Sequence, residues 1–230
     1  MLIAIIPARG GSQRVPDKNI VSFCGQPLIT YSLEAARCAG IFDEIHVSTD
    51  SQKIADVVVN AGFTVPFLRD PKLADSITGL IPVLRWVLNK FEKQGRAFVD
   101  ICLLYPTAPL IRAEDLQSAY NEFKNRNREY PLLSVSAFPV PVEWAMELDQ
   151  NKIALPRYPE MLSIRSQDLK HCVYDTGSFM FLTATQLQHW GEEKEMKHLA
   201  YMLPRSRSVD IDNYDDLELA EALFLGNRKK

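Results

Sequence analysis

Four short, β-rich runs punctuate the first 136 residues, and each is separated from the next by a longer stretch with helical spacing. The runs are Leu2–Pro7, Glu44–Thr49, Val99–Tyr105 and Leu132–Ser136. They are too short for helices and lack the strict alternation of a strand with one wet face, so they read as strands buried on both sides. Between them, Pro27–Cys38, Ser51–Ala61, Thr78–Glu92 and Ala113–Arg126 carry helical spacing. In the second, Ile54, Val57, Val58 and Ala61 fall at i, i+3, i+4 and i+7, which is one face of a helix. Strands buried on both sides need helices on both sides. The expected fold is therefore α/β and Rossmann-like, a mostly parallel sheet with helices on both faces.

The rhythm breaks after Ser136, where Pro139, Pro141, Pro156 and Pro159 interrupt a segment of weak periodicity. Residues 137–170 are too few for a core of their own and read as an extension of a single domain spanning 1–230. A strand resumes at Gly177–Leu182. A closing helix over Asn213–Leu225 carries the apolar stripe Tyr214, Leu217, Ala220, Leu223 and Phe224. With 47% hydrophobic and 24% charged residues in 230, one sizeable core is expected and disorder is excluded. The net charge of −3 excludes the basic footprint of a general nucleic-acid binder. The longest stretch free of Asp, Glu, Lys and Arg, Thr176–Gly191, contains Gln, His and Thr and falls short of the roughly 20 apolar residues of a membrane span. Met1–Ile6 reaches Arg9 too soon for a signal peptide, so a soluble, cytoplasmic protein is expected. Cys24, Cys38, Cys102 and Cys172 lie far apart without a CxxC and read as reduced thiols. His46, His171, His189 and His198 show no metal-ligand spacing.

The stretch richest in chemistry is the loop after the first strand, Pro7-Ala8-Arg9-Gly10-Gly11-Ser12-Gln13-Arg14-Val15-Pro16-Asp17-Lys18-Asn19. In an open α/β sheet, ligands bind beyond the carboxyl ends of the strands. Glycines let backbone N–H groups approach an anion, and Arg9, Arg14 and Lys18 supply charge for a polyphosphate. Neither GxGxxG nor GxxxxGK[ST] is present, so the two commoner phosphate loops are excluded. Taken alone, the glycine pair is equally an ordinary turn.

The whole string resembles the signature loop of the cytidylyltransferases that activate nonulosonic (sialic-type) acids. The resemblance continues through Val47-Ser48-Thr49-Asp50, Pro66-Phe67-Leu68-Arg69, Leu73-Ala74-Asp75, Tyr105-Pro106-Thr107-Ala108-Pro109 and Asp210-Ile211-Asp212, in family order along nearly the whole chain. Arg165-Ser166-Gln167-Asp168-Leu169 and Asp175-Thr176-Gly177 look like the branch that activates pseudaminic acid, with legionaminic and N-acetylneuraminic acid as alternatives. The chain departs from the family pattern at Gln13, where a Lys is usual and where adjacent Arg14 supplies the missing charge. It departs from the branch at Tyr174 and Ser178, which stand in place of a His and a Gln.

The resemblance implies a nucleotide-diphospho-sugar transferase fold and a Mg²⁺-dependent transfer of CMP from CTP to the sugar. Ala8, Arg9, Gly10, Gly11, Ser12, Gln13, Lys18, Asn19, Arg69, Asp75 and Thr78 would bind nucleotide. Arg9, Arg14, Lys18 and Asp210 would act in catalysis, and Asp210 with Asp212 would hold the metal. Tyr105, Thr107, Arg165, Gln167 and Asp175 would face the sugar. The extension would contact a second subunit in a homodimer. A catalytically idle nucleotide-binding protein is the alternative from another class.

Three carboxylates keep two readings each. Asp210 and Asp212 alternate in an extended segment, which puts both on one face and suits one hard cation. Asp212 also precedes a helix and could be its N-cap. Asp50, between a strand and a helix, and Asp75, beside Ser76 and Thr78, could each be a cap or a site residue. Asp215 and Asp216 lie in the first helical turn, where negative charge complements the macrodipole, and read as structural.

Overall fold

The computed structural model describes residues 1–12, 14–75, 77–192 and 196–227. The first run forms a strand as expected, β1 (Leu2–Pro7), with all six residues buried. Parallel partners flank it on each side, β2 (Glu44–Ser48) and β3 (Asp100–Leu104). Three more strands extend the sheet: β4 (Leu132–Ala137), β5 (Val173–Thr183) and β6 (Leu199–Met202). Across the sheet the order is β6-β4-β5-β3-β1-β2. Only β5 runs against its two neighbours, so the sheet is mostly parallel.

Side chains of β1 divide between two apolar layers. Leu2, Ala4 and Ile6 join one with α1 (Leu28–Ala39), α2 (Gln52–Asn60) and α4 (Ala113–Asn125). Ile3 and Ile5 join the other with α3 (Leu80–Glu92) and α5 (Ala184–Gln188). Both faces of the sheet are thus covered, which is why the strands read as continuous β runs. Each large side chain fully buried this way contributes roughly 1.5–3 kcal/mol. Phe181 sits where the rings of Phe42, Tyr120, Phe123 and Phe179 meet, and its truncation to Ala would cost about 3–5 kcal/mol.

A third, smaller cluster holds α6 (Tyr214–Asn227) to the site end of the molecule. Leu217 and Ala220 of α6 pack with Ile211, Leu28, Leu110 and Phe23, the last from a two-stranded hairpin that follows the first loop.

Element boundaries moved in informative places. The helix expected from Thr78 begins at Leu80, because Gly79 is its N-cap. The strand expected from Gly177 begins at Val173, because Val173–Asp175 pair with β4 beyond an interruption in the ladder. Strand β6 and the short α5 were not expected. The extension expected at 137–170 spans residues 138–172, between β4 and β5, and contains a small hairpin of Met146–Leu148 with Ala154–Pro156. It contributes nothing to the three apolar clusters. Among the described residues no helix is long and apolar enough to cross a membrane.

Candidate active site

From β1 the chain steps outward to β2 and then back across to β3, which makes the carboxyl ends of these strands the crevice of the sheet. A cleft of about 610 Å³ opens there. Of the residues singled out in the sequence, Arg9, Ser12, Arg14, Lys18, Asn19, Arg69, Asp75, Thr78, Tyr105, Thr107 and Asp212 line it. Gln13 lies outside the described residues.

The first loop is fastened by groups distant in sequence. Ala8, fully buried, extends the ladder by donating its N–H to the Ser48 carbonyl (2.9 Å). Gly10 N–H donates to Asp50 Oδ1 (3.0 Å), and a Cβ on Gly10 would come within 3.1 Å of Ser51 Cβ. The Gly10 amide is therefore turned to a carboxylate of the protein, whereas the space beside Gly11 is open. Buried Asn19 donates from Nδ2 to the Arg9 carbonyl (3.0 Å). Arg9 Nη1 in turn reaches the Asp75 carbonyl (2.6 Å), so the loop and the 70–79 segment are tied together.

These bonds settle two of the open readings. Asp50 does not cap α2: Ser51 does, its hydroxyl accepting from Ile54 N–H (3.4 Å), while Asp50 holds the glycine loop. Asp75 is a local cap, its Oδ1 accepting from the N–H groups of Ile77 (2.9 Å) and Thr78 (2.5 Å). The Thr78 hydrogen bonds hold its carboxyl below the ordinary range. What Asp75 offers the site is its backbone carbonyl and its place on the cleft wall.

Arg69 is largely buried where it lines the cleft. Its Nε donates to Ser48 Oγ (3.0 Å) and its Nη2 to the Ser48 carbonyl, and its backbone N–H to Thr49 O (2.7 Å). Burial lowers its pKa; Asp50 opposes that shift and Arg9 adds to it. Behind it lies His46, fully buried against the rings of Phe67 (4.6 Å) and Phe91 (5.3 Å), with neither ring nitrogen hydrogen-bonded. Burial first, and the Arg69 charge second, push its pKa down to about 3.

The acidic pair stands opposite the loop. Buried Ile211 anchors the segment in the third apolar cluster, and its neighbour Asp212 meets the loop. Asp212 Oδ1 receives Arg14 Nη2 (2.8 Å) and Lys18 Nζ (3.1 Å), and Lys18 also donates to the Ile211 carbonyl (2.8 Å). Asp212 is not the N-cap of α6. Asn213 is: its Oδ1 accepts from Asp216 N–H (3.0 Å), while Asp216 Oδ2 accepts from the N–H groups of Asn213 (3.0 Å) and Asp212 (2.9 Å). Asp216, read as structural, thus also fixes the backbone from which the Asp212 carboxylate projects.

Asp210 does not line the cleft wall but lodges against Gly177 of β5. Partial desolvation and then the Asp212 charge raise its pKa, Lys18 pulls it down, and Asp175 and Asp216 raise it further. The same corner acts on Tyr105, whose phenol is pushed up to about 12 by burial and by the charges of Asp175 and Asp210. Asp175 accepts from Gly177 N–H at 2.8 Å.

Other expected sugar-facing groups are not brought to the cleft. Arg165 and Gln167 are exposed on the 138–172 excursion. Tyr174 donates to or accepts from Ser208 Oγ (3.1 Å), and Ser178 is buried in the sheet.

The donor chemistry at Asp210 and Asp212 fits a hard divalent ion: their carboxylate charges act on each other, and Mg²⁺ binds through one or two carboxylates while phosphates and water complete its shell. Among the described residues no closed cage of three or more His, Cys, Asp or Glu is formed.

Comparison with known proteins matches this geometry to a family. The profile of the cytidylyltransferase family covers residues 3–223. The chain belongs to the cytidylyltransferase family. It is a CTP-using nucleotidyltransferase. It is 36% identical over 230 residues to the pseudaminic acid cytidylyltransferase of Campylobacter jejuni subsp. jejuni serotype O:2, covering 99% of this chain and 97% of that one. Its identity to the CMP-N,N'-diacetyllegionaminic acid synthase of Legionella pneumophila subsp. pneumophila is 32% over 231 residues, covering 99% and 98%. The fold of CMP:2-keto-3-deoxy-manno-octonic acid synthetase, solved with CTP, superposes with a TM-score of 0.73 at 18% identity, covering 98% of this chain and 99% of that one.

Proposed function

We propose that this cytidylyltransferase transfers CMP from CTP to a nonulosonic acid, and that the acid is pseudaminic acid. The carrying observation is the convergence of Arg14 and Lys18 on Asp212 across a cleft walled by Arg9 and Arg69. Cations and carboxylates facing one another are what a metal–triphosphate requires. Arg9, Arg14 and Lys18 turn to phosphate oxygens, with Ser12 and the open backbone at Gly11. Ala8, Gly10 and Asn19 shape the loop, and Arg69, Asp75 and Thr78 wall the nucleotide.

The anomeric hydroxyl of the sugar attacks the α-phosphorus of CTP. A new P–O bond forms, the bond to the bridging oxygen of the β-phosphate breaks, pyrophosphate leaves, and the hydroxyl proton passes to solvent. Asp210 and Asp212 would hold Mg²⁺, whose positive charge would offset that of the phosphate oxygens. The protein's own share is positioning and fixed cationic charge. Tyr105, Thr107 and Asp175 face the sugar, while Arg165 and Gln167, outside this chain's cleft, would grip a carboxylate only where the excursion meets a second copy.

The excursion is the proposed contact with a second copy. Met146, Leu148, Ile153 and Leu155 each leave more than half of their surface exposed, an apolar face that a homodimer would cover.

A pyrophosphate-release assay with CTP, Mg²⁺ and a panel of nonulosonic acids tests the reading. Pseudaminic acid is expected to give the highest kcat/KM. Preference for legionaminic or N-acetylneuraminic acid would move the assignment to that sugar. Protection by CTP without pyrophosphate from any acceptor would leave a nucleotide-binding protein.

A further inference from the structure

Strands β4 and β5 pair in one register up to Leu133↔Met180 and resume in another at Val135↔Asp175. Ser134 alone therefore faces the four residues Thr176–Phe179. Ser134 is one of two serines in this strand, and its hydroxyl stands in for the missing ladder. It accepts from Phe179 N–H (3.0 Å) and donates to Phe179 O (2.8 Å). Thr176 Oγ1 donates within reach of both the Ser134 hydroxyl (2.9 Å) and its carbonyl (3.1 Å). Both residues are buried, where an unmade hydrogen bond is costly, so the pair clamps one shape of the bulge.

That shape puts Gly177 at φ +59° and presents its bare Cα to Asp210. A Cβ there would lie 2.9 Å from Asp210 Oδ2 and 3.0 Å from Cγ. Bulges re-aim neighbouring groups next to active sites. Here the bulge forms the seat of a carboxylate.

We propose that Ser134, Thr176 and Gly177 are positioning residues that hold the Asp210 carboxylate in register with Asp212, and so set the affinity for the divalent cation without touching substrate. This rests on the reading of Asp210 and Asp212 as the metal-holding pair. Gly177→Ala pushes a methyl group into the carboxylate. Thr176→Val keeps the shape and removes the hydroxyl, and Thr176→Ser restores it.

Mn²⁺ binding in the presence of CTP and without sugar, followed by electron paramagnetic resonance, gives a readout independent of turnover. Melting temperature, kcat and the KM for CTP accompany it. Gly177→Ala is expected to lower kcat on the order of 10²-fold with the KM for CTP near that of the parent. Thr176→Val should weaken Mn²⁺ about tenfold, and Thr176→Ser should bind it as the parent does. If Gly177→Ala does not fold, the Thr176 pair decides alone. Parent Mn²⁺ affinity in folded Thr176→Val, or an equal loss in Thr176→Ser, overturns the proposal. Asp210→Asn is the reference: if it keeps parent Mn²⁺ affinity, the metal reading itself falls, and the proposal with it.

Discussion

Two irregular segments follow core strands in this molecule, and both carry arginines to which the proposed chemistry assigns a role. The loop at residues 8–19 is stitched to distant parts of the chain: Gly10 to Asp50, Arg9 to Asp75, Lys18 to Ile211 and Asp212. In the excursion at 138–172 the internal bonds are local, such as Asp149 N–H to Ile153 O (3.0 Å) and Arg157 N–H to Ala145 O (2.9 Å), and its apolar side chains face outward. In the proposed reading the first segment is the anion site, and its described residues are tied to the sheet and to the acidic segment by these bonds. The second is the surface proposed to be covered by a second copy. Errors in the first should therefore appear in chemistry, and errors in the second in assembly and acceptor binding.

The largest expected effect lies where the first segment meets the acidic pair. Asp212→Asn should lower kcat on the order of 10²–10³-fold, because it removes charge that both the cation and Lys18 use. Melting should change little, since Asn213 and Asp216 cap α6. The contrast is Asp216→Ala, which should cost about 1 kcal/mol of stability through the lost cap. Steady-state rates beside thermal melts check both. An active Asp212→Asn enzyme would show that the pair holds no cation.

Next in size come the two cations. Lys18 has 19% of its side-chain surface exposed and Arg14 68%, so water screens Arg14 far more. Lys18→Ala should cost on the order of 10²-fold in kcat/KM, and Arg14→Ala about tenfold. Equal losses would mean that burial does not rank these charges, and that Arg14 carries the full weight of the lysine usual at position 13.

The contrast between the segments also explains what could be read from sequence. Strand β1 was legible to the residue because a run buried on both faces offers one interpretation. The cation-rich loop stood out because its residue types have few other uses together, and its Arg9, Arg14 and Lys18 line the cleft. Ser134 was not, because a bulge depends on the register of a strand some 40 positions away. Whether Asp212 was a ligand or a cap turned on Asn213 and Asp216, which cap by geometry rather than by composition. Arg165 was singled out by motif, and the structure leaves that motif exposed on the excursion, outside the cleft.

For that second segment, Arg165→Lys keeps the charge and loses the planar fork that matches a carboxylate. The KM for the sugar should rise about tenfold with CTP binding unchanged, the pattern of an interaction made equally in ground and transition states. Leu148→Asp, on the exposed hairpin, should halve the sedimentation mass and raise the sugar KM in the same direction. Unchanged mass and unchanged sugar KM in Leu148→Asp would break the comparison, since the excursion would then act without cover.

The smallest effect concerns the stability of the pinned half. His46 lies behind Arg69 with both ring nitrogens unpaired, and its pKa in the folded protein is about 3 against 6.5 in the unfolded chain. Between those values the unfolded chain binds a proton that the folded one refuses, so stability is complete above 6.5 and falls as pH drops toward 3. From pH 7 to pH 6 the loss from this group is about 0.7 kcal/mol, steepening toward about 1.4 kcal/mol per unit below that. His46→Leu has no proton to take up and should flatten the stability profile between pH 7 and 5, whatever it does to stability at pH 7.5. Denaturant midpoints at half-unit steps of pH measure the slope directly. The excursion holds no buried imidazole, so Arg165→Lys should leave that slope as it is, and a parent-like slope in His46→Leu would place the acid sensitivity elsewhere.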